Sequence, residues 1–326
     1  MYRKEGVAGF KRLFSAAYSG HAVSRPGPNR PRDKDDFALE VPFRYDLDAP
    51  FRCKVCAVIH IFYPELTAEI LQYLANVPCR LDLFISTTSE EKKADILSHV
   101  AGYDNGRVEI RVFPNRGRDI APKLVGFSDV YERYDFALSL HTKKSPHAAE
   151  MLAPWREYLY GHLLGSPAIV RSIFALLQYD SVGMVFPQHF FPLRNHLKWG
   201  PNFKAAEAIL NRMGVDLPHD VLLECPSGSM FWCRTSALRP LLSLELQFED
   251  FDEEHGQIDG TLAHAIERVF LYTLEAYGFT WAKVARRDLY PLPQTIIPVQ
   301  STFDIKSGMA LVHRVLLGKS RIEGSV

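Results

Sequence analysis

An excess of charge of either sign is the first thing this sequence lacks. Thirty-eight Lys and Arg balance thirty-eight Asp and Glu in 326 residues. No net field attracts a polyanion, and no nucleic-acid partner is expected. No apolar run approaches the roughly 18 residues that a membrane-crossing helix needs. Cysteine is sparse and odd in number. Cys53, Cys56, Cys79, Cys225 and Cys233 give no disulfide framework, which favours a reducing compartment. Cys53 and Cys56 form a CxxC, but no second CxxC or CxxH completes a zinc set, so the pair reads as the entry to a strand. The basic segment after Met1 has no apolar signal core and no small-residue cleavage site, so a cytoplasmic location is expected. GxxxxGK[ST] is absent, and "VIHIFYPEL" after the first strand carries no glycine. A P-loop NTPase and a Rossmann dehydrogenase are thereby disfavoured.

What is present is an alternation. Val55–Phe62, Leu81–Ser86, Val108–Phe113 and Phe136–Leu140 read as buried strands. Glu65–Ala75, Glu90–Val100 and Ile120–Val130 read as the helices between them. That pattern predicts right-handed βαβ units and a mostly parallel sheet flanked by helices. Trp155–Leu164, Ala168–Leu177 and Gly260–Tyr277 are periodic helices, and Val182–Phe186 and Ser229–Cys233 are later strands. The expected organisation is a basic N-terminal helix with a Pro/Arg-rich linker over residues 1–50, an α/β domain over 51–290 and a C-terminal extension over 291–326. The terminal helices are basic and amphipathic. Val7, Phe10, Leu13, Phe14, Ala17 and Tyr18 share a face at one end, and Met309, Val312, Val315 and Leu316 at the other. Each either packs on the domain or docks on an anionic membrane face.

Polar residues gather at the strand ends, where ligands bind in open α/β sheets. Asn115, Arg116, Gly117, Arg118 and Asp119 follow the third strand. Gly117 permits a tight turn, and the two arginines offer planar forks for phosphate or carboxylate. Asp119 either caps the next helix or meets a ligand. His141, Thr142, Lys143, Lys144 and Ser145 follow the fourth strand and suit a diphosphate held without a metal, or a solvated basic turn. In the Pro226–Trp232 loop, Ser227, Gly228 and Ser229 allow close backbone approach, and Phe231 or Trp232 offers a face for a sugar. The acidic stretch Asp250, Asp252, Glu253, Glu254 and His255 precedes Gln257 and Asp259. Asp259 at a helix start is held ionised by the helix N-terminus. It is either an N-cap or a general base.

Taken in order, "HIFYPEL", "NRGRDIAP", "LHTKKSPH", "WREYLYGHLLGS", "PSGSMFW" and "GQIDGTLAHAIER" resemble the rhamnan synthesis protein F family, over about His60 to Arg268. The resemblance implies a glycosyltransferase of cell-surface polysaccharide, O-antigen or lipopolysaccharide assembly. It would take a nucleotide-activated sugar, with rhamnose on dTDP as the expected donor, and invert its configuration. The acceptor would be a glycan or lipid-linked glycan, met at the cytoplasmic face of the inner membrane. The order of elements is also similar to the GT-A fold, with His141-Thr142-Lys143 where that fold carries its metal-binding Asp-x-Asp. This departure implies no metal and no other cofactor, with Lys143 or Lys144 replacing the cation. By the same likeness His60, Tyr63 and Thr87 line the donor side. Asp259 is the base, with Glu254 as its alternative, and Ser227, Gly228, Ser229, Trp232 and Gln257 meet acceptor or sugar. The competing reading is a non-catalytic carbohydrate-binding or scaffolding module of a polysaccharide assembly complex.

Overall fold

The computed structural model describes residues 31–47, 51–142, 149–257, 259–314 and 316–317. Among the described residues nine strands form one sheet. In chain order they are β1 (Ala38–Glu40), β2 (Val55–His60), β3 (Leu81–Thr87), β4 (Val108–Val112), β5 (Phe136–His141), β6 (Val182–Pro187), β7 (Phe231–Arg234), β8 (Thr280–Ala285) and β9 (Ile296–Ile297). Their spatial order is β4-β3-β2-β5-β7-β6-β8-β1-β9. Six pairings are parallel, and only those of β7 with β5 and β6 are antiparallel. The expected mostly parallel α/β sheet is therefore present.

A parallel sheet must be covered on both faces, so its strands read as unbroken apolar runs. Every residue of β2, β3 and β5 is buried. Alternate residues of β2 feed opposite cores: Ala57 and Ile59 one, Cys56 and Val58 the other. Helices α1 (Thr67–Leu74), α2 (Glu90–Val100), α3 (Ala149–Leu164), α4 (Pro167–Leu177) and, from the C-terminal end, α7 (Thr302–Val312) cover the first face. Helices α5 (Phe203–Arg212) and α6 (Leu262–Ala276) cover the second.

Several expected boundaries move. The helix expected over Ile120–Val130 is a π-helical turn, Pro122–Gly126, followed by a 3-10 turn at Tyr131–Arg133. The strand expected at Ser229–Cys233 begins at Phe231, because Gly228 and Ser229 both take left-handed backbone conformations. The long helix starts at Leu262. Its N-cap is Thr261, whose hydroxyl and backbone both engage His264, so Asp259 stands outside it. The C-terminal helix lies earlier than expected and ends at Val312, which is buried. His313 beyond it pairs with Glu275 at 3.1 Å, and the amides of Leu316 and Leu317 donate to the same carboxylate. This end packs on α6. The N-terminal amphipathic stretch, Lys143, Lys144, Val315, Lys319 and Arg321 lie outside the described residues. Among the described residues no single helix is long and apolar enough to cross a membrane.

Segments expected to flank the domain take part in the sheet. β1 lies between β8 and β9. Just before it, Asp36 is fully buried and receives both Lys283 and the Arg194 guanidinium, the latter at 2.9 Å. Removing one partner of a buried ion pair leaves a charge without compensation, which costs about 3–5 kcal/mol. Asp36→Ala is therefore expected to lower the unfolding free energy by that amount, read as a lower urea midpoint with an unchanged slope. An unchanged midpoint would show that these cations are stabilised without it.

A candidate active site at the carboxyl ends of the strands

The direction in which successive strands are added reverses between β2 and β5. From β2 the chain moves outward through β3 to β4, then returns to the other side of β2 as β5. A crevice opens beyond the carboxyl ends at such a switch point. The register pairs His60 with His141 at its floor. Thr142 ties the two strand ends together: its amide donates to the His60 carbonyl at 2.9 Å, and its hydroxyl accepts from the amides of Phe62 and Tyr63 at 2.9 and 3.1 Å. His60 Nδ1 meets Ser86 Oγ at 2.9 Å. Thr87 is buried at the end of β3. Tyr63 packs edge-on against Phe62, whose face carries the Lys92 ammonium at 3.5 Å.

The loop after β4 brings its polar residues to the same place. Gly117 has φ +66, and a Cβ there would meet the Phe251 ring at 2.4 Å. Only glycine fits that turn. Arg118 follows at φ +55, a conformation that non-glycine residues hold only under constraint. The constraint is visible: Arg118 donates to Glu254 at 3.3 Å and to the Gln257 carbonyl. Arg116 pairs with Glu253 and donates to the Phe251 carbonyl at 2.9 Å, while the Asn115 carbonyl accepts from the Glu254 amide at 3.4 Å. The two loops that the sequence reading treated separately are one clasp.

Asp119 sits at its centre, 11% exposed, with His141 Nδ1 at 3.6 Å and Lys123 Nζ at 3.2 Å. Burial alone would raise its pKa. The charges of His141, Lys123 and His60 outweigh that and hold the carboxyl well below the usual range. Lys123, 2% exposed, also donates to the Ser229 carbonyl at 3.2 Å. Ser139 donates to the same carbonyl at 3.0 Å, so the small-residue loop before β7 is joined to the crevice. The Gly228 amide donates to Glu267 Oε1 at 2.9 Å.

The two expected carboxylates differ in surroundings. Asp259 is 36% exposed, accepts from Asn202 at 2.8 Å and pairs with Arg268 at 3.1 Å. Glu254 is 16% exposed, and burial raises its pKa against the opposing pull of Arg118. Trp232 corrects the sequence reading. It is fully buried, stacks edge-on against Phe174 and donates to the Leu163 carbonyl, so it offers no face to a sugar. An aromatic beside the loop is the half-buried Trp155, 3.1 Å from the position of a Cβ on Gly228, with Leu159 at 3.0 Å. Lys123, His264 and Asn202 were not singled out from sequence, and Glu267 was read only as a structural pairing residue. Lys123 had a signal, the four-residue spacing from Asp119 along a helical turn. Among the described residues no three His, Cys, Asp or Glu side chains cluster as metal ligands.

Burial pushes His60, His162 and His264 each down to about 4, whereas an unfolded imidazole titrates near ~6.5. Between those values the unfolded chain binds more protons, so stability rises with pH across the window. It is fully present above about 6.5 and lost as pH falls toward about 4. His60→Gln is expected to flatten the pH dependence of the unfolding free energy, measured by urea titration, by about one proton. An unchanged slope would mean that His60 is not held neutral.

A family model described as rhamnan synthesis protein F matches residues 43–279. The chain is also 38% identical over 215 residues to "Uncharacterized protein WxcX" from two strains of Xanthomonas campestris pv. campestris. The match covers 65% of this chain and 30% of each relative, so the chain spans under a third of their length. The matched region contains every loop of the crevice, from His60 to Glu267, and the chain belongs to the rhamnan synthesis protein F family.

Proposed function

We propose that this chain is an inverting glycosyltransferase of polysaccharide synthesis, with a GT-A-like sheet and a nucleotide-diphosphate sugar, dTDP-rhamnose, as donor. Family membership supports the role in polysaccharide synthesis. One observation carries the chemistry: two arginine forks and a half-buried carboxylate of raised pKa meet at the switch-point crevice. Arg116 and Arg118 exchange their glutamates for the donor's diphosphate. The acceptor hydroxyl attacks the anomeric carbon from the opposite side, and the bond to the diphosphate oxygen breaks. Glu254 takes the hydroxyl proton. It suits this role better than Asp259, because a base works best with a pKa lifted toward neutrality. Asp259 is already paired with Arg268. Asp119, held ionised against His60 and His141, orients the donor side rather than accepting a proton. The donor is held without a metal, and the acceptor is a lipid-linked glycan.

Three variants test the assignment on full-length protein. Arg118→Ala is expected to weaken dTDP-rhamnose binding about tenfold, the scale of one charge-assisted hydrogen bond. Glu254→Gln should bind the donor normally and lose about 10²–10⁴ in kcat. Asp259→Asn should turn over near the wild-type rate. The assignment moves to Asp259 if these last two results are exchanged. Binding and transfer that vanish with EDTA and return with Mn²⁺ would overturn the metal-free donor site.

A second reading rests on the chain's short span of its relatives. The catalytic step could belong to another part of a longer assembly, with this chain holding the glycan. Donor-independent glycan binding, with no transfer from any nucleotide sugar, would establish that reading.

A further inference from the structure

At the amino end of α6 two buried polar atoms, His264 Nε2 and Asn202 Oδ1, have no hydrogen-bond partner among the described residues. His264 is the third residue of the helix and 7% exposed. Asn202, just before α5, is fully buried. Both stand beside Asp259. Asn202 donates to its Oδ1 at 2.8 Å. Arg268 links it to His264, reaching the carboxylate at 3.1 Å and the His264 carbonyl at 2.9 Å. The charges acting on the His264 ring are those of Arg118, Asp259, Arg268 and Asp119. The ring therefore lies between the clasp and the Asp259–Arg268 pair. Arg118 and Asp259 are 38% and 36% exposed, so this corner of the crevice lies just below the surface.

Neighbours that can only donate, or only accept, fix the hydrogens on these two atoms whatever the charge around them. The Thr261 amide only donates, and it reaches His264 Nδ1 at 3.3 Å. The Thr261 hydroxyl lies 2.8 Å from the same atom. Nδ1 therefore presents its lone pair, and the hydrogen of the ring is on Nε2. A protonated ring would turn a second hydrogen on the amide. The Asn202 NH2 faces two acceptors, the Asp259 carboxylate and the Trp199 carbonyl at 3.1 Å. A flipped amide would set oxygen against oxygen, so Oδ1 is the unmet atom. One free donor and one free acceptor thus flank a carboxylate. Buried polar groups are rarely left unmet, and those that are call for a cause.

A diphosphate oxygen would meet only the donor, and it would set negative charge beside Asp119 and Asp259. A hydroxyl meets both kinds of atom, because its oxygen accepts from an N–H while its hydrogen goes to an acceptor. Sugars carry such hydroxyls side by side. We infer that His264 and Asn202 form a sugar-hydroxyl subsite, with His264 Nε2–H donating to a hydroxyl oxygen and Asn202 Oδ1 accepting a hydroxyl hydrogen. Both atoms are covered in this clasped state, so the sugar enters as Arg118 leaves Glu254. The occupant's class rests on the glycosyltransferase reading above. The donor sugar and the acceptor's terminal sugar share this chemistry, and each has its own probe.

The test is histidine-selective ¹⁵N NMR on full-length protein, with dTDP, dTDP-rhamnose and methyl rhamnoside as probes. His264→Gln assigns the resonance by its loss. Free His264 is expected as the Nε2–H tautomer at neutral pH. The donor sugar is the occupant if dTDP-rhamnose moves the Nε2 resonance and dTDP does not. The acceptor's sugar is the occupant if methyl rhamnoside moves it. His264→Ala should lower the affinity for that probe about five- to tenfold, the scale of one hydrogen bond, and Asn202→Ala by a similar factor. His264→Gln should recover part of the loss, because glutamine at this position of a capping box still reaches the Thr261 amide and keeps an N–H. If the alanine variants do not fold, the wild-type titrations decide alone. A cationic or Nδ1–H His264 overturns the inference. So does a resonance that neither sugar probe moves while dTDP-rhamnose binds, and in that case the donor reading survives. If neither nucleotide binds and methyl rhamnoside still moves the resonance, the donor reading fails and the sugar subsite stands. If no probe binds, both fail.

Discussion

The Lys123 ammonium joins the two halves of the crevice. It lies 3.2 Å from Asp119 and 3.2 Å from the Ser229 carbonyl, with the rings of Phe231 and Phe270 near it. One bond belongs to the loop after β4 and the other to the loop before β7. A cation this deeply buried persists only where both its charge and its donors are met. Asp119 meets the charge, and the carbonyl meets a donor. Through Asp119 the same contact sets the field felt by His60 and His141, so the electrostatics of the donor side depend on a group from the far side of the turn.

The fold was legible where its cause is local. The parallel strands announced themselves as apolar runs because both faces are covered, and β2, β3 and β5 lie within a residue or two of their expected ends. Strand β8 and helix α5 escaped notice. β8 carries Lys283, a charge at a core position whose partners are Asp36 and Glu224, nearly 250 and about 60 residues away. The isolated turn over Pro122–Gly126 read as an ordinary helix, because nothing in an apolar periodicity distinguishes a π-turn from an α-helix.

The site was legible in composition and less so in arrangement. The loops at the ends of β4 and β5, and the acidic stretch, were each visible as clusters. That Arg116 and Arg118 would close on Glu253 and Glu254 was not, because such pairing depends on loops about 135 residues apart. Trp232 misled for a related reason. An aromatic after a run of small residues looks available from sequence, but β-strand alternation points it into the core beside Phe174. Thr142 holds two backbone amides across the strand ends and so braces the crevice floor.

The position of β1 bears on where this protein can be cut. The family-matched segment, 43–279, contains β2 to β7 but omits β1, β8 and β9. Three of nine strands would be missing from that segment alone. β6 would become a raw edge, with unpaired backbone groups and apolar residues such as Val185 and Phe186 beside it. An exposed apolar edge of that kind recruits strands from other chains. Glu224 and Arg194 would stay buried without Lys283 and Asp36. The boundary that similarity draws is thus narrower than the unit that folds, and material made to it would be expected to aggregate.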